Sequence, residues 1–68
     1  MILLTKERKA LGLSQAALSR RADLHNSTTS AIERGRMSPW PGQAEKLTRA
    51  MREAGWTGSG DLFAEVDE

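Results

Sequence analysis

The chain has no cysteine and no tyrosine, a single histidine, two prolines, and only Trp40, Trp56 and Phe63 as aromatic residues among its 68 positions. Each shortage excludes something. Without cysteine, neither a disulfide framework nor a thiolate zinc site staples the fold. His25, alone, offers no cluster of metal ligands; a helix cap or a phosphate contact suits its position better. There is no cysteine nucleophile, no glycine-rich phosphate loop and no confined pair of carboxylates, so no enzyme is expected. No apolar run approaches the ~18 residues of a membrane span. Met1-Ile2-Leu3-Leu4 is too short for the core of a signal peptide. These absences fit a cytoplasmic protein without cofactor or metal. β-branched residues are few and no strand-like alternation persists, so the expected fold class is all-α.

A chain of this size buries only about 60% of the surface it exposes when unfolded, so its core is marginal. A well-packed helical bundle, completed by dimerisation, is the remaining route to stability. The formal charge of +1 conceals an asymmetry: residues 1–52 carry all ten Lys and Arg against four acids, while residues 53–68 carry five acids and no base. A basic body with an acidic tail points to a polyanionic partner for the body.

Punctuation divides the chain into helices. Leu4, Arg8 and Leu11 share one face of a first helix over residues 3–11, which Gly12 ends. Ser14 is a good N-cap for a second helix over 15–22, with Ala17, Leu18, Arg21 and Ala22 on one face. Asp23 breaks it, and Leu24 anchors the turn. A third helix spans 26–34, capped by Asn26 or by His25, with Thr29 and Ile32 facing inward and Gly35 as the left-handed stop. Ser38 to Gly42 is a stiff connector in which Trp40, between two prolines, is expected to cover the edge of the bundle. Pro41 suits the first turn of a fourth helix over 41–54, whose broad face holds Ala44, Leu47, Ala50, Met51 and Ala54. Asp61 caps a last short turn, LFAEV.

The stretch from Leu13 to Pro39, LSQAALSRRADLHNSTTSAIERGRMSP, thus reads as two short helices joined by a tight turn. Small hydroxyl and amide side chains open the second of them, and basic residues flank the pair. A helix fits the major groove, where each base pair shows its own donor and acceptor pattern. A helix that reads it needs short polar side chains near its N-terminus, as Asn26, Ser27, Thr28 and Ser30 are here.

Leu13-Ser14-Gln15, Leu18, Arg21-Ala22, Leu24, Thr28, Ile32-Glu33-Arg34-Gly35-Arg36 and Ser38-Pro39 resemble the phage repressor/Cro-like (XRE) helix-turn-helix family over roughly residues 4–54. The resemblance implies a compact, four- to five-helix, lambda-repressor-like DNA-binding domain over residues 1–56. Its second and third helices form the helix-turn-helix. It implies that Asn26, Ser27, Thr28 and Ala31 face the bases, Ala31 weakly, through its methyl group. It implies that Gln15 donates to a DNA phosphate beside a helix N-terminus. Ser30, Arg34 and Arg36 join the phosphate contacts, with Lys6, Lys9, Arg20 and Arg21 as weaker candidates. It implies that Arg8 and Glu33 pair between the first and third helices, bracing the third.

Three positions depart from the family pattern: Asp23 stands where glycine is usual, Ser19 where alanine is, and Thr29 where isoleucine or valine is. The acidic segment 57–68 is expected to carry dimerisation, through an apolar patch of Trp56, Leu62, Phe63 and Val66; the alternative is packing of these residues against helices one and four. The expected function is sequence-specific binding of double-stranded DNA by a homodimeric repressor on an inverted repeat. The alternative is an antitoxin whose main partner is a toxin protein held by the acidic tail.

Overall fold

Local chemistry cuts the chain into α1 (Leu3–Ala10), α2 (Gln15–Ala22), α3 (Asn26–Glu33) and α4 (Pro41–Glu53) in a computed structural model that describes residues 1–67. The Ser14 hydroxyl accepts the Ala17 N–H at 3.0 Å and starts α2, which satisfies one of the amides that a helix start leaves free. Asp23 ends α2 in the left-handed region at φ 56°, a conformation an aspartate tolerates better than most residues. His25, not Asn26, caps α3. Gly35 takes φ 74° after α3, where a side chain would be strained. Pro41 opens α4, and the Gln43 carboxamide oxygen accepts the Trp40 N–H at 3.0 Å. Leu11, Arg34 and Ala54, expected to be the last helical residues, are C-caps instead.

α2 packs on both α3 and α4. The core joins Ile2, Leu4, Leu18, Ala22, Ile32, Leu47, Ala50, Met51, Trp56 and Leu62. One expectation fails at the edge. Trp40 is 72% exposed; the rigid connector projects the indole outward instead of over the bundle. Arg21, at the end of α2, is exposed, where its guanidinium keeps water. No helix among the described residues is long and apolar enough to cross a membrane.

The fold closes where no fifth helix forms. Leu62 and Phe63 make a turn, held by the Phe63 N–H on the Asp61 carboxylate at 2.9 Å. The chain then runs extended, and Glu65 pairs antiparallel with Ile2. The Leu4 N–H donates to the Leu62 carbonyl at 2.7 Å, the Leu3 N–H to Ala64 at 2.9 Å, and the Val66 N–H to Met1 at 2.9 Å. The cause lies in α1: Ile2 supplies no side-chain cap, so the first-turn amides need acceptors from elsewhere. A five-residue helix is too short to repay its nucleation, whereas the extended strap satisfies those amides directly.

The strap also decides where the apolar residues of the tail go. Leu62 is 2% exposed and Trp56 6%. The Trp56 indole N–H donates to the Glu7 carboxylate at 3.1 Å, and the Arg52 guanidinium stacks 4.1 Å from the ring centroid. Gly58 sits so close that a Cβ there would fall 2.6 Å from Trp56 Nε1. Trp56 and Leu62 therefore do not lie on an open dimer patch; they are covered within the chain. Phe63 and Val66 remain half-buried. Nor does the chain beyond residue 57 stand apart from the domain, since α1 depends on it; Glu68, the last residue of the expected acidic segment, lies outside the described residues.

Leu62→Ala is accordingly expected to cost about 2–5 kcal/mol and to lower Tm by at least ~8 °C. Because Leu62 packs within one chain, the loss should be the same at protein concentrations tenfold apart. Thermal melts check both; an unchanged Tm would show that the strap holds nothing.

Candidate nucleic-acid interface

The candidate interface is the outer side of α3, and its geometry is set from below by a single carboxylate. Arg8 on α1 meets Glu33 at the end of α3 through two parallel bonds, Nε to Oε2 at 2.8 Å and Nη2 to Oε1 at 2.9 Å. The remaining terminal nitrogen, Nη1, donates to the Leu13 carbonyl at 2.9 Å. The side chains are 10% and 4% exposed, so the pair is held away from water. Such fork-to-fork pairing fixes orientation as well as distance.

Gln15 adds a third partner, its amide donating to Glu33 Oε1 at 3.0 Å. Expected on a phosphate, Gln15 is half-buried and commits one of its amide hydrogens to this network. α1, the loop after it, α2 and α3 thus converge on one ion pair.

A second clamp lies between α2 and α3. The Ser19 hydroxyl is 2.9 Å from the Gln15 carbonyl and 2.8 Å from Thr29 Oγ1. Both residues are buried. The departures at 19 and 29 are therefore one feature: two hydroxyls replace two apolar groups and satisfy each other, as buried polar groups must. Asn26 Oδ1 lies 3.4 Å from the same Ser19 hydroxyl, which draws that side chain toward α2.

On the outer side of α3, Asn26 and Ser27 are exposed, and Thr28, Ser30 and Ala31 are half-buried. The inward residues are Thr29 and Ile32. His25 Nδ1 accepts the Ser27 N–H at 3.2 Å and lies 2.7 Å from the Ser27 hydroxyl. Past the helix, the Arg36 N–H returns to the Ala31 carbonyl at 2.9 Å and the Gly35 N–H to Ile32 at 3.1 Å. This tight reversal leaves Arg34 and Arg36 exposed. Short polar side chains at one end and exposed arginines at the other are what a helix resting on a duplex needs.

The remaining cations divide. Lys6, Lys9, Arg20, Arg21 and Lys46 are exposed, Arg49 pairs with Glu45 at 2.8 Å, and Arg52 is held by Trp56 and by the Gly58 carbonyl at 2.6 Å.

A model of the helix-turn-helix family matches residues 4–54. The chain belongs to the XRE-type helix-turn-helix family. It is a DNA-binding transcription regulator of that type. No curated protein and no solved structure matches the chain. The family match ends at residue 54, before the strap that closes α1.

Sequence reasoning identified the Arg8–Glu33 pair but not Gln15 as its third member, nor the partnership of Ser19 with Thr29. The signal for the latter was available: two unusual hydroxyl residues sit on adjoining helices at positions the family keeps apolar.

Two outcomes follow. Arg8→Ala strands the Glu33 carboxylate and should cost about 3 kcal/mol in stability, with weaker DNA binding only as a consequence; wild-type melting would show that the pair holds nothing. Ser19→Ala should cost about 1–2 kcal/mol by orphaning the Thr29 hydroxyl, and adding Thr29→Val should recover most of it. Urea unfolding of the two single variants and the double variant measures this coupling; additive losses would contradict it.

Proposed function

We propose that this XRE-type regulator is a homodimeric repressor of the small phage Cro-like or controller type, acting in the cytoplasm on an inverted-repeat operator. α3 enters the major groove. Asn26, Ser27 and Thr28 contact base edges, and the Ala31 methyl group meets a thymine methyl. Arg34, Arg36 and Ser30 contact phosphates, and the amide hydrogen that Gln15 does not give to Glu33 joins them. The supporting observation is the exposed polar N-terminus of α3 on a frame braced by the Arg8–Glu33 pair. Two such helices in a symmetric dimer sit about one helical turn, ~34 Å, apart. Repression then follows from covering a promoter and requires no catalysis, cofactor or metal.

Phe63 and Val66 are what remains of the expected dimer patch. Phe63 borders a surface groove of about 350 Å³ with Ile2, Ile32, Met37 and Pro39, and pairing of two copies is assigned to this side. The antitoxin alternative draws less support, because Glu65 of the acidic tail already pairs with the Met1 amino group at 3.3 Å.

Selection from a random duplex library, followed by salt titration, tests this function. The expected result is a short inverted repeat, with affinity falling steeply as salt rises. Asn26→Ala should relax preference at one position by about 1–3 kcal/mol, whereas Arg36→Ala should weaken all sequences alike and flatten the salt dependence. Binding without an enriched site, or without salt dependence, would defeat the proposal; equal effects of both substitutions would remove Asn26 as a reader.

A further inference from the structure

His25 and Ser27 stand at the start of α3 in an arrangement that fixes the direction of a hydrogen bond. The Ser27 backbone N–H can only donate, and it meets His25 Nδ1 at 3.2 Å. Nδ1 therefore presents its lone pair, and the neutral ring carries its hydrogen on Nε2. The Ser27 hydroxyl lies 2.7 Å from the same Nδ1. A nitrogen without a hydrogen cannot donate, so the hydroxyl must. Its one hydrogen is then committed, and only oxygen lone pairs remain to face outward from an exposed side chain.

An unconstrained serine hydroxyl turns to suit either kind of partner, which is why serine ordinarily reads bases without discrimination. We propose that His25 is a specificity-determining residue: it makes Ser27 an acceptor only, so the base that Ser27 faces must offer a donor. In the major groove those bases are adenine through its N6 amino group and cytosine through its N4 amino group; guanine and thymine present acceptors there. The operator should therefore discriminate amino bases from keto bases at one position in each half-site. This inference rests on the reading that α3 lies against base edges. His25 acts through Ser27 as a positioning residue, and its Nε2–H is left as a separate exposed donor.

Two measurements test it, the first without DNA. At pH 8 the 15N spectrum of the His25 ring should show an unprotonated Nδ1 and a protonated Nε2; a proton on Nδ1 would overturn the proposal. The second uses the full chain and the site selected from a random library, with each base of the half-site replaced in turn. The wild type should favour adenine or cytosine over guanine or thymine about fivefold at one position, the worth of one hydrogen bond. Ser27→Ala should level that preference. His25→Ala should level it as well, since the hydroxyl is freed. His25→Asp supplies a carboxylate that both caps α3 and takes the hydroxyl hydrogen, so it should restore the preference while lowering affinity for every sequence.

Persistence of the amino-base preference in His25→Ala, or a keto-base preference at the Ser27 position, would overturn the role of His25 while leaving α3 as the reader. If Asn26→Ala and Ser27→Ala both leave every position unchanged, α3 is not the reader and the inference falls with that reading.

Discussion

One buried carboxylate governs the geometry of this domain. Glu33 receives the fork of Arg8 from α1 and the amide of Gln15 from α2 while standing in the last turn of α3. Three helices of eight residues each are too short to be stable alone. Their mutual angles must come from tertiary contacts, and apolar contacts are tolerant of small rotations. A two-bond arginine–carboxylate fork is not. Desolvating both charges opposes stability, so the pair is better understood as setting orientation than as adding free energy. Arg8 Nη1 on the Leu13 carbonyl extends the same control to the loop between α1 and α2.

Size imposes the second constraint. A domain of 68 residues has few apolar side chains with which to build a core, and α1 begins without a side-chain cap. The C-terminal strap addresses both deficits together. Its carbonyls take the Leu3 and Leu4 amides, while Leu62 and Trp56 enter the core. Glu65 consequently lies at the N-terminal end of α1, where negative charge is favoured by the helix dipole. Lys6, Lys9, Arg20, Arg21, Arg34 and Arg36 stay exposed, while Glu65 is drawn to the Met1 amino group.

The helices were legible from local signals. Ser14, Asp23, Gly35 and Pro41 each act within one helical turn of themselves, so their effects show in the sequence, and the four helices differ from expectation by at most one residue at an end. The membership in the helix-turn-helix family was legible for the same reason, because its spacing runs unbroken from Gln15 to Gly35. What escaped was everything that depends on contact between distant segments. LFAEV contains the right residues for a helical turn, and nothing local announces that the uncapped start of α1, some sixty positions earlier, would compete for its backbone. Ser19 and Thr29 each read as a small weakness alone; their mutual satisfaction requires knowing that α2 and α3 cross there. Of the two places the sequence allows Trp56, a dimer patch or helices one and four, the second holds, because Glu7 and Arg52 offer its indole a polar and a cationic partner within the chain.

Under the proposed function, the shortness of the outer side chains of α3 gives the bracing its meaning. Asn, Ser, Thr and Ala reach only a few ångströms from the helix, so the proposed reading requires α3 to lie deep in the groove, where a small tilt would carry its side chains out of hydrogen-bonding range. Long, flexible readers such as arginine would tolerate a looser frame, but none stands between Asn26 and Ala31. A domain that reads with short side chains therefore depends on its scaffold for specificity to a degree that its contact residues do not reveal. On that proposal Arg8, Ser19 and Thr29 serve recognition as much as Asn26 does, because a bond formed by a hydroxyl weakens steeply once its distance and angle are lost. The same logic explains a histidine at the cap of α3. If Ser27 reads a base as proposed, fixing its backbone is insufficient, because its hydroxyl hydrogen rotates freely, and the direction of the hydroxyl itself has to be held.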